Sequence, residues 1–138
     1  MDLLWVILTD DALMTEVNRE TFGKDAVTDV ITRRFDAVPS DPDGPTAEIF
    51  VNVAEARRRG RSRRATCSEL ALYLAHGCDH LGGADDATPA QRRSMRRRER
   101  RWLASPAVRA IVTQLLGAAG RRPAPKAQRR DRRQEAPR

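Results

Sequence analysis

The sequence contains only two histidines, and their spacing suits a metal site. His76 and His80 lie four residues apart in a segment with helical periodicity, so both imidazoles occupy one helix face. Gly82-Gly83 follows and allows a sharp turn that returns Asp85 or Asp86 toward the same ion as an oxygen ligand. Three protein ligands of this kind leave a fourth position open for water, which is typical of catalytic zinc-type sites.

Two residues of the same helix bear on this interpretation. Glu69 lies seven residues before His76, where its carboxylate could support the site as a hydrogen-bond acceptor. Cys78 lies two residues from each histidine and points to another helix face, so we expect it to pack in the core. The alternative for the pair is that both histidines are ordinary polar residues near a helix end, because their spacing alone is a weak signal.

The elements around this segment predict a small mixed β-sheet packed with several α-helices, which is an α+β, or layered α/β, fold. Three runs of apolar or alternating residues predict strands over 3–9, 27–35 and 48–53. Helix signals predict five helices. The first is capped by Asp10 or Asp11 and ended by Gly23, and the second covers 54–59 and is stopped by Gly60. The third is capped by Thr66 or Ser68 and ends near His80, the fourth is capped by Thr88 with Pro89 first, and the fifth begins at Ser105-Pro106.

Two segments have the composition of unstructured chain. Asp36 to Pro45 contains three prolines, three aspartates and a glycine, which predicts a mobile loop. Residues 120–138 combine proline with repeated arginine and predict a disordered basic tail. We therefore expect one compact domain over residues 1–119, with the metal site on the central helix and the turn after it.

Arginine clustering indicates a polyanionic partner. The net charge is +7, and arginines concentrate in blocks at 57–64, 92–101 and 121–138. Guanidinium groups match phosphate geometry, and neutralising phosphates releases counterions, so nucleic acid is the leading partner. The alternative is a solvated surface in an arginine-rich sequence, and charge alone does not separate RNA from DNA.

The remaining composition favours the cytoplasm. Two cysteines are too few for a disulfide framework. The first residues carry an acid where a signal peptide needs positive charge, and the apolar run that follows is too short for a membrane span, so we expect no membrane association.

A family resemblance sharpens these expectations. Residues 69–86 resemble the H-G-x-x-H-L-x-G-x-D-H signature of the YbeY family of rRNA-maturation endoribonucleases. Further segments resemble other family motifs in the same order: Asn18-Arg19, Gly23-Lys24-Asp25, Thr28-Asp29-Val30-Ile31, Phe35-Asp36 and Ala47-Glu48-Ile49. The resemblance covers roughly residues 3–118.

The resemblance implies a zinc-dependent endoribonuclease that acts on single-stranded regions of ribosomal RNA in rRNA maturation and ribosome quality control. It implies one Zn²⁺ per chain on the catalytic residues His76, His80 and Asp86, supported by Glu69 and Asp85. The expected partners are ribosomal RNA and the small ribosomal subunit, with no DNA. The basic residues expected to contact RNA are Arg19, Lys24, Arg33, Arg34, Arg57, Arg58 and Arg61.

The sequence departs from the family pattern at four places. Asp86 stands at the third histidine ligand and gives a harder, more anionic site. Phe22 replaces a basic residue, whose RNA contact Arg19 could take over one turn earlier. Thr32-Arg33-Arg34-Phe35 replaces S-F-P-F. An N-terminal strand and helix have no counterpart before Leu3, which is expected to expose a sheet edge.

Two other functions fit part of the pattern. In the first, the protein binds RNA or the ribosome without cleaving it, and the metal is structural. In the second, the protein is a zinc peptidase, but Gly77 occupies the position where such enzymes carry a glutamate general base.

Overall fold

The computed structural model describes residues 3–35 and 46–119. The loop predicted over Asp36 to Pro45 and the basic tail predicted over 120–138 lie outside the described residues. The elements, in chain order, are β1 (Leu4–Thr9), α1 (Asp11–Phe22), β2 (Val30–Arg34), β3 (Ala47–Asn52), α2 (Val53–Gly60), α3 (Arg63–Leu81), α4 (Pro89–Leu103) and α5 (Pro106–Ala119).

The three described strands form one mixed sheet in the order β1-β3-β2. β1 runs parallel to β3, with Leu4 opposite Ala47, whereas β2 runs antiparallel to β3, with Ile31 opposite Phe50. The predicted fold class, a small mixed sheet packed with helices, is confirmed.

The two faces of the sheet bury different clusters. On one face α1 packs through Met14 and Val17 against Ile31 and Phe50. On the other face the larger cluster joins β3 to the remaining helices, and its buried members are Ile49, Val51, Ala56, Leu70, Ala71, Tyr73 and Val112. Because successive strand residues point to opposite faces, Ile49 and Val51 reach one layer while Phe50 reaches the other.

Several predicted helix boundaries are confirmed by their caps. The Asp10 carboxylate accepts a hydrogen bond from the Leu13 N–H, and Gly23 ends α1 in the left-handed region at φ 68°. Thr88 and Gln91 form a reciprocal capping box at the start of α4, with Pro89 in the first turn.

The predicted start of α3 was wrong. Ser62, not Thr66 or Ser68, caps this helix, and its hydroxyl accepts a hydrogen bond from the Ala65 N–H. The hydroxyls of Thr66 and Ser68 instead donate to the carbonyls of Ser62 and Arg64, four residues earlier. The helix therefore begins inside the arginine block.

Helix α2 ends one residue later than predicted. Gly60 is the last residue of α2, and Arg61 takes the left-handed cap conformation at φ 54°. A Cβ at Gly60 would lie 2.3 Å from the Thr66 nitrogen. Glycine is thus required here because the backbones of α2 and α3 approach closely.

The strand predicted over 27–35 is shorter in the structure. The Asp29 carboxylate accepts hydrogen bonds from the Val30 N–H and the Thr28 hydroxyl. The chain bends at Asp29, and β2 begins only at Val30.

The helix that carries both histidines lies directly on the sheet. A Cβ at Gly77 would come 3.0 Å from Ile49 Cγ2 and 3.2 Å from Thr32 Cγ2. Gly77 therefore permits the close packing that fixes the height of His76 above the sheet.

Strand β1 forms one edge of the described sheet and exposes large apolar side chains. Trp5 is 48% exposed, and Leu4, Val6 and Leu8 are exposed to a similar degree. Within residues 3–35 and 46–119, no helix has the length and apolarity needed to cross a membrane.

Two glycine substitutions test the contact between α2 and α3. Gly60→Ala should lower the free energy of unfolding by about 1–3 kcal/mol, because its Cβ would push the two backbones apart. Gly117→Ala in α5 is the matched control, since the nearest atom of the described side chains would be 3.9 Å from the new Cβ. It should gain up to about 1 kcal/mol from helix propensity. Urea unfolding measures both, and an unchanged or raised stability in Gly60→Ala would contradict the close approach.

Candidate metal centre

The two histidines of α3 present the same ring atom to each other. The Nε2 atoms of His76 and His80 are 3.0 Å apart, and the rings meet edge to face at a centroid distance of 4.5 Å. This arrangement follows from the four-residue spacing, which places the side chains one turn apart on one face.

The outer ring nitrogens are held by acceptors from other segments. His80 Nδ1 lies 3.1 Å from the Ala84 carbonyl, and His76 Nδ1 lies 2.8 Å from Glu99 Oε1. A carbonyl only accepts, and so does a carboxylate, so both Nδ1 atoms carry the proton and donate it. In the neutral rings, both Nε2 lone pairs then face each other across 3.0 Å, a contact that a cation between them would stabilise.

The turn after α3 brings Asp86, and not Asp85, to the two rings. Asp86 Oδ2 lies 3.9 Å from His76 Nε2. The Asp85 carboxylate turns away and accepts hydrogen bonds from the N–H groups of Asp86 and Ala87. Gly83, at φ 87°, provides the left-handed conformation that the turn requires.

The three side chains fit a single metal ion. Their ligand atoms all lie within 4.8 Å of one another. In a tetrahedral zinc site, with Zn–N distances of about 2.0–2.1 Å, neighbouring ligand atoms lie about 3.3–3.4 Å apart. The two separations from His76 Nε2, 3.0 Å to His80 Nε2 and 3.9 Å to Asp86 Oδ2, fall on either side of that value, so adjustment of the side chains would bring the three ligand atoms to one ion.

Glu99 is the residue of this centre that sequence reasoning missed. It is 6% exposed and comes from α4, 23 residues after the histidine it contacts. Glu69, the carboxylate expected to support the site, makes no hydrogen bond to either ring among the described contacts. Seven residues of helix span about 10.5 Å, which places Glu69 too far along α3.

Cys78 lies on the same helix but outside this centre. It packs against the larger core cluster, and burial raises the pKa of its thiol. Cys78 is not part of the group of candidate metal ligands, which consists of His76, His80 and Asp86.

Most of the arginines expected to contact RNA have intramolecular partners. Arg19 pairs with Asp25 at 2.6 Å, and Phe22 beside it is 58% exposed. Arg58 binds Asp11 and Glu55, and the hydrogen bonds that Asp11 accepts from Arg58 and Asn52 lower the pKa of its carboxyl to about 2.

The strand arginines are placed differently. Arg33 reaches back to α1, where it donates to the Thr21 hydroxyl and pairs with Glu20. Arg34 donates to the Leu81 carbonyl at the end of α3, which places it nearer the metal centre. Three residues of the expected set make no side-chain hydrogen bond or ion pair within the part of the chain that the structure describes: Lys24, Arg57 and Arg61.

A family model described as Endoribonuclease YbeY matches residues 3–106, which include both histidines, the turn and Glu99. The chain belongs to the YbeY family. A YbeY relative from Anaeromyxobacter sp. (strain Fw109-5) is 41% identical over 96 residues, which cover 68% of this chain and 49% of the relative. A second, from Rhodopirellula baltica, is 34% identical and is covered over 48% of its length.

The extent of these matches varies among YbeY relatives. A Thermus thermophilus relative is 36% identical over 102 residues, which cover 72% of this chain and 73% of the relative. The chain spans about half the length of the first two relatives. The solution structure of a Thermotoga maritima protein has a similar fold, with a TM-score of 0.50 and 22% sequence identity. The alignment covers 93% of this chain and 80% of the Thermotoga chain.

Metal affinity tests the role of Glu99 in this YbeY centre. Glu99→Ala should weaken zinc binding about 10–100-fold, because the imidazole of His76 loses the acceptor that orients it. Glu99→Gln keeps an acceptor oxygen and should weaken binding less. Competition with a chromogenic chelator measures each affinity. Glu69→Ala is the matched control on α3, and a loss there as large as in Glu99→Ala would contradict this assignment.

Proposed function

We propose that this protein is a zinc-dependent, single-strand-specific endoribonuclease with His76, His80 and Asp86 as its metal ligands. The observation that carries the proposal is the pair of Nε2 atoms that face each other at 3.0 Å with both Nδ1 atoms engaged elsewhere. Membership of the Endoribonuclease YbeY family supports the reaction class.

The donor set supports zinc as the ion. Two imidazoles and one carboxylate match the ligand types of catalytic zinc sites and leave a coordination position free. A zinc ion held by His76, His80 and Asp86 would supply Lewis-acid chemistry for hydrolysis of a phosphodiester.

The protein side chains orient and expose this centre. Glu99 and the Ala84 carbonyl fix the two imidazoles, and the Asp85 carboxylate holds the backbone that carries Asp86. The side chains of His76 and Asp86 are 30% and 44% exposed, so a polymer can reach them from solvent. Arg34, anchored at the end of α3, supplies a positive charge beside the centre for an RNA phosphate.

The local sequence disfavours the peptidase alternative. Gly77 is buried against the sheet at the position after His76, where a zinc peptidase carries its glutamate base. Glu99 cannot serve as a free base in its place, because its carboxylate is buried and bonded to His76.

We further propose ribosomal RNA as the substrate and the small ribosomal subunit as the partner in rRNA maturation and ribosome quality control, within the cytoplasm. The basic composition suits such a polyanion, and DNA is not an expected substrate. Within the expected RNA-contact set, we propose Arg34, beside the end of α3, as a contact to RNA. Lys24, Arg57 and Arg61 are further candidates, because their side chains have no hydrogen-bond or ion-pair partner among the described residues.

Cleavage of a labelled single-stranded ribosomal RNA fragment tests the proposed activity. His76→Ala should reduce zinc-dependent cleavage ~100-fold or more, because a lost ligand removes several kcal/mol of transition-state stabilisation. Cys78→Ala, on the same helix but outside the ligand group, is the matched control and should retain cleavage. A zinc-loaded wild type that binds RNA but does not cleave it would favour the non-catalytic alternative.

A further inference from the structure

Helix α4 carries seven arginines and a single acid, and its arginines differ in their partners. Arg92 donates to the carbonyls of Asp86 and Ala87, and Arg98 binds Asp79. The other five are exposed and make no side-chain hydrogen bond or ion pair with any residue that the structure describes. These five, which we name the α4 arginine face, are Arg93, Arg96, Arg97, Arg100 and Arg101.

The spacing of these five residues makes them neighbours. Separations of three and four residues place them along one side of the helix, with a rise of about 6 Å over four residues. The opposite side of α4 holds Met95 and Glu99, which are 1% and 6% exposed. The face therefore points to solvent while the helix is held by its other side.

No acid of α4 compensates this charge. Its only acid, Glu99, is buried and bonded to His76. In α2, by contrast, Arg58 and Arg59 both bind Glu55 on their own helix. Like charges at these spacings repel each other. A polyanion that binds the α4 arginine face would offset this repulsion.

We infer that the α4 arginine face binds the phosphodiester backbone of RNA, next to the RNA segment that enters the metal centre. This inference rests on the proposed function for its choice of RNA. The same helix holds Glu99 against His76, so RNA on the face lies about one helix diameter, 10–12 Å, from the centre.

The composition of the face disfavours a membrane surface. An interfacial helix buries an apolar side in lipid, but the apolar Met95 is buried within the protein. Trp102 is exposed, yet it lines a cavity of about 390 Å³ between α3 and α4 with Asp79 and Ser105. Binding by the face is expected to be independent of base sequence and strongly dependent on salt, as for other arginine–phosphate contacts.

Salt-dependent RNA binding by the full chain tests the inference. The triple variant Arg93→Gln, Arg97→Gln and Arg100→Gln removes three charges from the face. The matched control, Arg59→Gln, Arg64→Gln and Arg109→Gln, removes three exposed arginines elsewhere and keeps the same net charge as the test variant. Fluorescence anisotropy of a labelled RNA stem-loop in EDTA measures binding without cleavage.

The face variant should bind RNA about tenfold or more weakly near physiological salt, and its slope of log K against log salt should be smaller by about 2–3. The control should keep a slope close to that of the wild type. Equal effects of the two variants, or no effect of either, would overturn the inference. So would a face variant that keeps RNA binding but no longer sediments with phosphatidylserine vesicles.

RNA binding by the α4 arginine face and RNA cleavage at the metal centre can each fail independently of the other. Since the assay excludes metal, a protein that fails to cleave RNA can still show the expected loss of binding. Conversely, unchanged RNA binding by the face variant would contradict RNA binding at the α4 arginine face. It would not contradict the proposed zinc-dependent cleavage.

Discussion

The hydrogen bond between Glu99 and His76 is the contact on which the candidate centre depends. It joins α4 to α3 across 23 residues of chain, and it determines which ring nitrogen of His76 faces His80. The Ala84 carbonyl does the same for His80 from the turn after α3. Both imidazoles therefore point their unengaged ring nitrogens toward each other, and this preorganised pair suits a metal ion better than two unconnected polar residues near a helix end would.

The sheet gives this pair a rigid base. Gly77 lets α3 approach Ile49 and Thr32, and Gly60 lets the end of α2 lie against the start of the same helix. At the end of β3, the Asn52 side chain is buried, caps α2 and donates to Asp11 at the start of α1. Gly60, Gly77 and Asn52 thus help to position α3, which carries both histidines. Asp86 comes from the turn after α3, and Glu99 comes from α4.

Features that depend on residues close together in the sequence, such as helix caps, could be predicted from the sequence. Asp10 and Thr88 are visible as caps because a side-chain oxygen at such a position satisfies free N–H groups within three residues. Ser62 is harder to recognise, because Thr66 and Ser68 offer the same hydroxyl farther inside the helix. Glu99 could not be predicted, because a glutamate between arginines looks like a solvated charge until α4 packs on α3.

The same limit applies to the arginines. Their clustering predicts a polyanion as partner, but the pairing of Arg58 with Asp11 joins residues far apart in the chain and is invisible in the pattern. Only the structure separates arginines that bind acids, such as Arg58 and Arg98, from the α4 arginine face, which has no acidic partner among the described residues. The candidate third ligand shows the same limit: the spacing alone leaves Asp85 and Asp86 as alternatives, whereas in the structure the Asp86 carboxylate lies near His76 and the Asp85 carboxylate accepts backbone N–H groups.

Anomalous diffraction from zinc-soaked crystals, recorded on both sides of the zinc absorption edge, tests whether His76, His80 and Asp86 hold the ion. We expect one strong anomalous peak about 2.0–2.1 Å from the Nε2 atoms of His76 and His80, with an Asp86 oxygen at a similar distance. Glu99 should remain on Nδ1 of His76. A zinc ion bound to Nδ1 of either histidine, or a zinc ion elsewhere with these three side chains unoccupied, would contradict the proposed metal centre.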